Sequence, residues 1–134
     1  MGGSIIQIPG SQIEAIDTHE ASISVRFAPA LIVKSEGVPG VDASTLWKQG
    51  SVLVFQDGEI EGELTALPAT LAGGKFTANC LSYVDMIPLP LDSAGSIRLV
   101  ITFVDRQEQF AISGSHVRLT LLGHAQYVEH LPPA

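Results

Sequence analysis

The chain is short of several things. Cys80 is its single cysteine, which excludes an internal disulfide and a thiolate zinc cluster and suits a reducing compartment. Basic residues are few, seven Lys and Arg against fourteen Asp and Glu, for a net charge of -7. That sign is wrong for a phosphate backbone, so nucleic acid and anionic membrane are excluded as expected partners. Long apolar runs are missing as well. The start "MGGSIIQIPG" has neither the basic residues nor the apolar stretch of about 7–15 residues that a secretory signal requires, and "ALIV" is far too short to span a bilayer. A soluble, cytoplasmic protein is the expectation.

Catalytic signatures are absent too. "AGGKFT" lacks the spacing of a phosphate loop, "HEASI" has no second histidine for a zinc protease, and Ser113 and Ser115 around Gly114 do not make a nucleophile elbow. Neither a cofactor nor a metal is expected. No repeat, low-complexity tract or break in composition divides residues 1–134, which read as one domain.

What is present is an alternation of period two. "ASISVRF" sets Ile23, Val25 and Phe27 on one side of a strand and Ser22, Ser24 and Arg26 on the other. "SIRLVITFV" and "HVRLTLL" behave alike and are rich in the β-branched residues that suit a pleated surface. Short intervals between turn signals favour antiparallel neighbours. The expected class is all-β, an antiparallel barrel or two-sheet sandwich of about eight to ten strands with at most one short helix. That helix falls on "DASTLWKQG", with Asp42 or Ser44 as N-cap and Gly50 as terminator.

Asp57-Gly58 predicts a two-residue hairpin with Phe55 opposite Ile60, and "VDRQ" and "LAGGKF" are weaker turn candidates. Gly123-His124 predicts a second hairpin. It would set Arg118 opposite Glu129 and Leu119 opposite Val128, and would send His116 and His130 to opposite faces. A metal site built from the histidines is disfavoured on that register. Longer connections are expected at 34–44 and 87–95, where Pro88 and Pro90 mark an edge or a loop.

The candidate ligand-binding residues come from two places. "KFTANCLSYVDM" alternates Lys75, Thr77, Asn79, Leu81, Tyr83 and Asp85 on one face, a mixed set of donors and acceptors from which Asn79, Tyr83 and Asp85 are taken. Trp47 is added as a wall residue or core staple. Cys80 alternates with Phe76, Ala78 and Val84 on the apolar face and is read as a buried, inert thiol. "DTHE" reads as a polar hairpin loop.

The leading functional reading is a non-enzymatic all-β module that binds a partner protein or a small ligand. Alternatives are a small barrel or cupin-like enzyme with its site assembled from separate strands, and a structural subunit of a larger assembly. Charged residues make up 16% of the chain, against about 25% in typical soluble proteins. That shortage predicts a homo-oligomer, most simply a dimer joined through a sheet face or edge such as "SVLVF".

Overall fold

Ile23, Val25 and Phe27 all turn inward and are buried, and so do Ile97, Leu99, Ile101 and Phe103. In the computed structural model these alternating faces meet in one core. It describes residues 3–35, 43–63, 66–106 and 109–132. Ten strands are present among these residues: β1 (Gly3–Gln7), β2 (Gln12–His19), β3 (Ser22–Ser35), β4 (Ser44–Gln56), β5 (Glu59–Glu61), β6 (Ala69–Ala78), β7 (Leu81–Val84), β8 (Met86–Leu89), β9 (Asp92–Phe103) and β10 (Gln109–Leu131). All pair antiparallel in one sheet of order β2-β6-β9-β10-β4-β3-β1-β8, with β5 on β10 and β7 on β6. A further pairing of β2 with β3 returns the ladder to its start, so β2, β6, β9, β10, β4 and β3 form a closed ring of pairings. No helix among the described residues is long and apolar enough to cross a membrane.

The largest buried side chains of this core are Phe27, Phe55, Phe76 and Phe110, joined by Leu53, Leu71 and Ile97. Two hairpins close by two-residue turns: Glu20-Ala21, where His19 faces Ser22, and Asn79-Cys80, where Ala78 faces Leu81. The "DTHE" segment is mostly strand and not a loop: Asp17, Thr18 and His19 end β2, paired with β3, and only Glu20 enters the turn. "VDRQ" lies in the β9–β10 connection, of which Gln107 falls outside the described residues. Pro88 sits in β8, which pairs only with β1 in this sheet order, as a strand without a full set of N–H donors should.

Several turn signals make bends within strands instead of hairpins. Asp57 takes a positive φ of 51°, but β4 and β5 do not fold back on each other. Both lie antiparallel to β10, Gln56 opposite His116 and Glu59 opposite Ser113, so the chain jogs and continues. Gly123, at φ 65°, likewise bends a single 23-residue strand. Leu122 pairs with Gly50 and Gln126 with Lys48, leaving Gly123, His124 and Ala125 opposite Gln49 alone. On the other side of β4 the register shifts at Ala28-Pro29, between Phe27 opposite Ser51 and Ala30 opposite Gln49. The two bulges face adjacent residues of β4, Gln49 and Gly50, and a bulge on each neighbour bends the sheet there. The Gln49 side-chain amide donates to the Gly123 carbonyl at 3.1 Å and ties the bend.

The expected helix is a strand. Ser44–Gly50 belongs to β4, paired on one side with β3 and on the other with β10, and Asp42 falls outside the described residues. Nine residues offer at most two helical turns, which rarely repay nucleation, whereas two ladders satisfy both edges of the segment. "LAGGKF" lies within β6, its glycines at a register shift between Leu71 and Gly73. The loop read at 34–44 keeps Lys34 and Ser35 in β3, and residues 36–42 fall outside the described residues.

One core position is polar. Ser51 is fully buried on the Leu53 and Phe55 face, and its Oγ has no hydrogen-bond partner among the described residues. A buried hydroxyl without a partner costs about 1–3 kcal/mol. Ser51→Ala is therefore expected to raise stability by about 1 kcal/mol in urea unfolding. A loss of that size would show that the hydroxyl is satisfied.

Candidate functional site

Two of the candidate residues, Asn79 and Asp85, use their side chains to hold turns. Asn79 occupies the Asn79-Cys80 turn at φ 58°. Its Nδ2 donates to the Ala94 carbonyl at 3.1 Å, and its Oδ1 accepts from the Ser96 N–H at 3.0 Å. The side chain thus clasps the start of β9. A Cβ on Gly95, at φ 122°, would collide with Asn79 Oδ1, so only glycine fits beneath the clasp. Asp85, at φ 59°, does similar work between β7 and β8. Its Oδ1 accepts from the Gly74 N–H at 3.0 Å, its own N–H donates to the Gly74 carbonyl, and its carbonyl accepts from Ile8.

Tyr83 is half-buried and stacks on Phe76 with ring centroids 6.3 Å apart. The expected single face of this segment is split by the hairpin. Lys75 shares a side with Val84, and Phe76 shares the other with Tyr83. Cys80 is exposed in the turn and not buried, because the chain reverses where the alternation was extrapolated.

Trp47 is not part of this group. It lies on β4 between Ile32 and Tyr127, packs edge-on against the Tyr127 ring at 5.4 Å, and donates from Nε1 to Thr45 Oγ1 at 2.8 Å. Lys34 Nζ sits 4.4 Å over its indole.

The histidines stay apart, though not by the expected hairpin. His116 pairs with Gln56 and His130 with Thr45, eleven residues apart on β4, or about 35 Å of strand. Arg118 and Glu129 do not face each other; they pair with Val54 and Leu46. No group of three or more metal-ligating side chains occurs among the described residues. His116 Nε2 lies 2.6 Å from Asp92 Oδ1, while the neighbouring Ser115 hydroxyl donates to Asp57. Serine and histidine are thus bound to different carboxylates and form no relay. Glu61 and Arg98 make an exposed bidentate pair at 2.8 and 3.1 Å. The guanidinium holds the Glu61 carboxyl below its ordinary value, chiefly by hydrogen bonding and then by charge, and the carboxylate raises Arg98 in turn.

The pairing leaves an edge on β10. β9 accompanies β10 as far as Arg118, and the Leu119 N–H still donates to the Leu91 carbonyl at 3.0 Å. From Thr120 to Leu131, β10 has β4 on one side and no strand on the other among the described residues. Leu121, Tyr127 and Val128 are exposed there. The "SVLVF" segment, by contrast, is no edge, since β4 lies between β3 and β10. The signal that marks the true edge is compositional: Leu119–Leu131 contains no Pro, Lys or Arg, the residues that commonly guard one. Compared with protein-family models, with curated proteins and with solved structures, the chain matches none.

Two expectations follow from these contacts. Asn79→Ala removes two backbone-directed hydrogen bonds and leaves a positive φ without asparagine's tolerance for it, so it should cost about 1–3 kcal/mol. Full stability in urea would instead free Asn79 for a ligand. Because the Glu61 pKa is lowered in the folded state, its pairing stabilises above the ordinary carboxylate range and is lost as pH falls through the lowered value. Glu61→Gln should therefore sit slightly below the parent at about pH 7, and the gap should close toward about pH 2. A gap of constant size would contradict the pairing.

Proposed function

We propose that this chain is a non-enzymatic binding module, a small packed barrel that offers one open sheet edge to a protein partner supplying an extended strand. The observation that carries the reading is the run Thr120–Leu131, which is paired on one side alone among the described residues. An unpaired edge is a row of donors and acceptors at strand spacing, and an added strand satisfies it with main-chain hydrogen bonds while side-chain pockets set the specificity. The filled ring interior leaves binding to the outside, where open hollows of about 420 and 440 Å³ border this part of the sheet beside His130 and His124. Exposed, unpaired Cys80 fits a cytoplasmic setting.

The test uses the outward N–H groups. Leu119 donates away from β4, and by strand alternation Leu121 does the same. Leu121→Pro removes that donor without breaking the ladder to β4. In a selection from random peptides, binders to the parent protein should adopt extended conformations and lose about tenfold or more in affinity for Leu121→Pro, a difference worth one ordinary hydrogen bond. Failure to select any binder, or binders indifferent to the substitution, would contradict the proposal.

A further inference from the structure

We infer that a hollow beside Lys34, enclosed where the outer half of the sheet curls back on itself, binds a small aliphatic monocarboxylate. The inference goes beyond the strand-edge reading and does not depend on it.

Past the closed ring the sheet continues in the order β10-β4-β3-β1-β8. Shortly after β8 ends, the Leu91 carbonyl accepts from the Leu119 N–H of β10, so these five strands curl until the last meets the first again. Paired residues share a face, and the rows across this curl follow from the registers. One row is Ile87, Ile6, Ile32, Trp47 and Tyr127. Its three isoleucines are buried. The row beside it is Leu89, Ser4, Lys34, Thr45 and His130, which is only partly covered. Between the end of β8 and β10 the curl is not filled. A hollow of about 230 Å³ remains, with Ile32, Leu89, Pro90 and Leu121 as apolar walls and Ser4, Lys34 and Gln49 as its polar groups. Mostly apolar concavities with a few placed polar groups are the usual form of a small-molecule site.

The polar groups select the ligand's charge. Lys34 is the one ionisable side chain lining the hollow among the described residues. Arg26 and Arg98 have Glu14 and Glu61 as partners, whereas no carboxylate among the described residues lies within ion-pair distance of Lys34. Its ammonium rests instead 4.4 Å over the Trp47 ring. In a chain with fourteen acids and seven bases, a lysine left to an aromatic face is a cation still open to an anion. Ser4 stands directly opposite Lys34 on β1, and its hydroxyl makes no hydrogen bond among the described residues, so one carboxylate can accept from both. A phosphate dianion would leave a charge unmatched in a protein already at -7. The apolar walls take the rest of the ligand. At about 30 Å³ for each water the hollow has room for about eight, the number of non-hydrogen atoms in hexanoate.

Hexanoate titrated into the full chain tests this, followed by the emission of Trp47, the single tryptophan, and by methyl NMR shifts. Saturable binding is expected with a Kd of about a millimolar or tighter, ordinary for a ligand of this size. The largest methyl shifts should fall on Ile32, Leu89 and Leu121, which wall the hollow. Lys34→Gln, at an exposed position, should weaken hexanoate about tenfold while methyl resonances away from the hollow stay in place, and Lys34→Arg should hold it within about threefold. Hexanol should bind about tenfold more weakly than hexanoate, because it lacks the charge. Hexanoate that fails to saturate by about 20 mM, well above that Kd, would overturn the inference. So would methyl shifts centred elsewhere, binding unmoved by Lys34→Gln, or hexanol or inorganic phosphate that binds as tightly as hexanoate.

Discussion

The backbone of an extended chain sends its hydrogen-bonding groups alternately to its two sides, and both rows need partners. β10 meets that demand unequally along its length. From Gln109 to Arg118 it has β9 on one side and then β5 and β4 in turn on the other. Beyond Leu119 it keeps β4 alone among the described residues. The closed ring, the jog at Asp57, the bend at Gly123 and the open edge all follow from how far each neighbour accompanies this one strand. Its 23 residues exceed the usual strand length of about 3–10, so one strand serves both the ring and the sheet that extends beyond it.

The bends are local consequences of residues that tolerate unusual backbone. Gly123, Asp57, Asn79 and Asp85 all take positive φ. At Asn79 the outcome is a hairpin, whereas at Asp57 and Gly123 it is a displaced but continuing strand. The difference lies in what is available to pair. After Asn79 the chain returns along β6 because β9 already holds that strand's other side. After Asp57 and Gly123 a long neighbour continues, and staying in its ladder retains hydrogen bonds that reversal would give up. Polar side chains at such points then serve the backbone, as the Asn79 clasp on Ala94 and Ser96 and the Asp85 tether on Gly74 do.

This explains which features were legible in the amino-acid sequence. Alternation at Ile23, Val25 and Phe27 identified strands and their inward faces, because period two is intrinsic to the pleat. Pro88 excluded a central strand, leaving an edge or a loop, because a missing donor has the same meaning in any fold. Gly123-His124 did not reveal whether the strand reverses or bends, since glycine at positive φ permits both and the choice belongs to β4, about seventy residues earlier in the chain. The segment around Trp47 misled toward a helix because its neighbours on β3 and β10 are supplied by distant sequence. Asn79, Tyr83 and Asp85 looked like one polar face because alternation was carried across a turn that it does not survive. The open edge could have been suspected from the absence of Pro, Lys and Arg between Leu119 and Leu131.

The open edge requires that β10 run unbroken past Gly123. Nuclear Overhauser contacts between backbone protons of β10 and its neighbours test this directly. A continuous strand predicts contacts of Leu121 with Ser51 and of Tyr127 with Trp47 on the two sides of the bend. Contacts of Leu119 with Val128 and of Thr120 with Tyr127 within one molecule, in place of those to β4, would mean that the chain folds back at Gly123-His124. The open edge would then not exist.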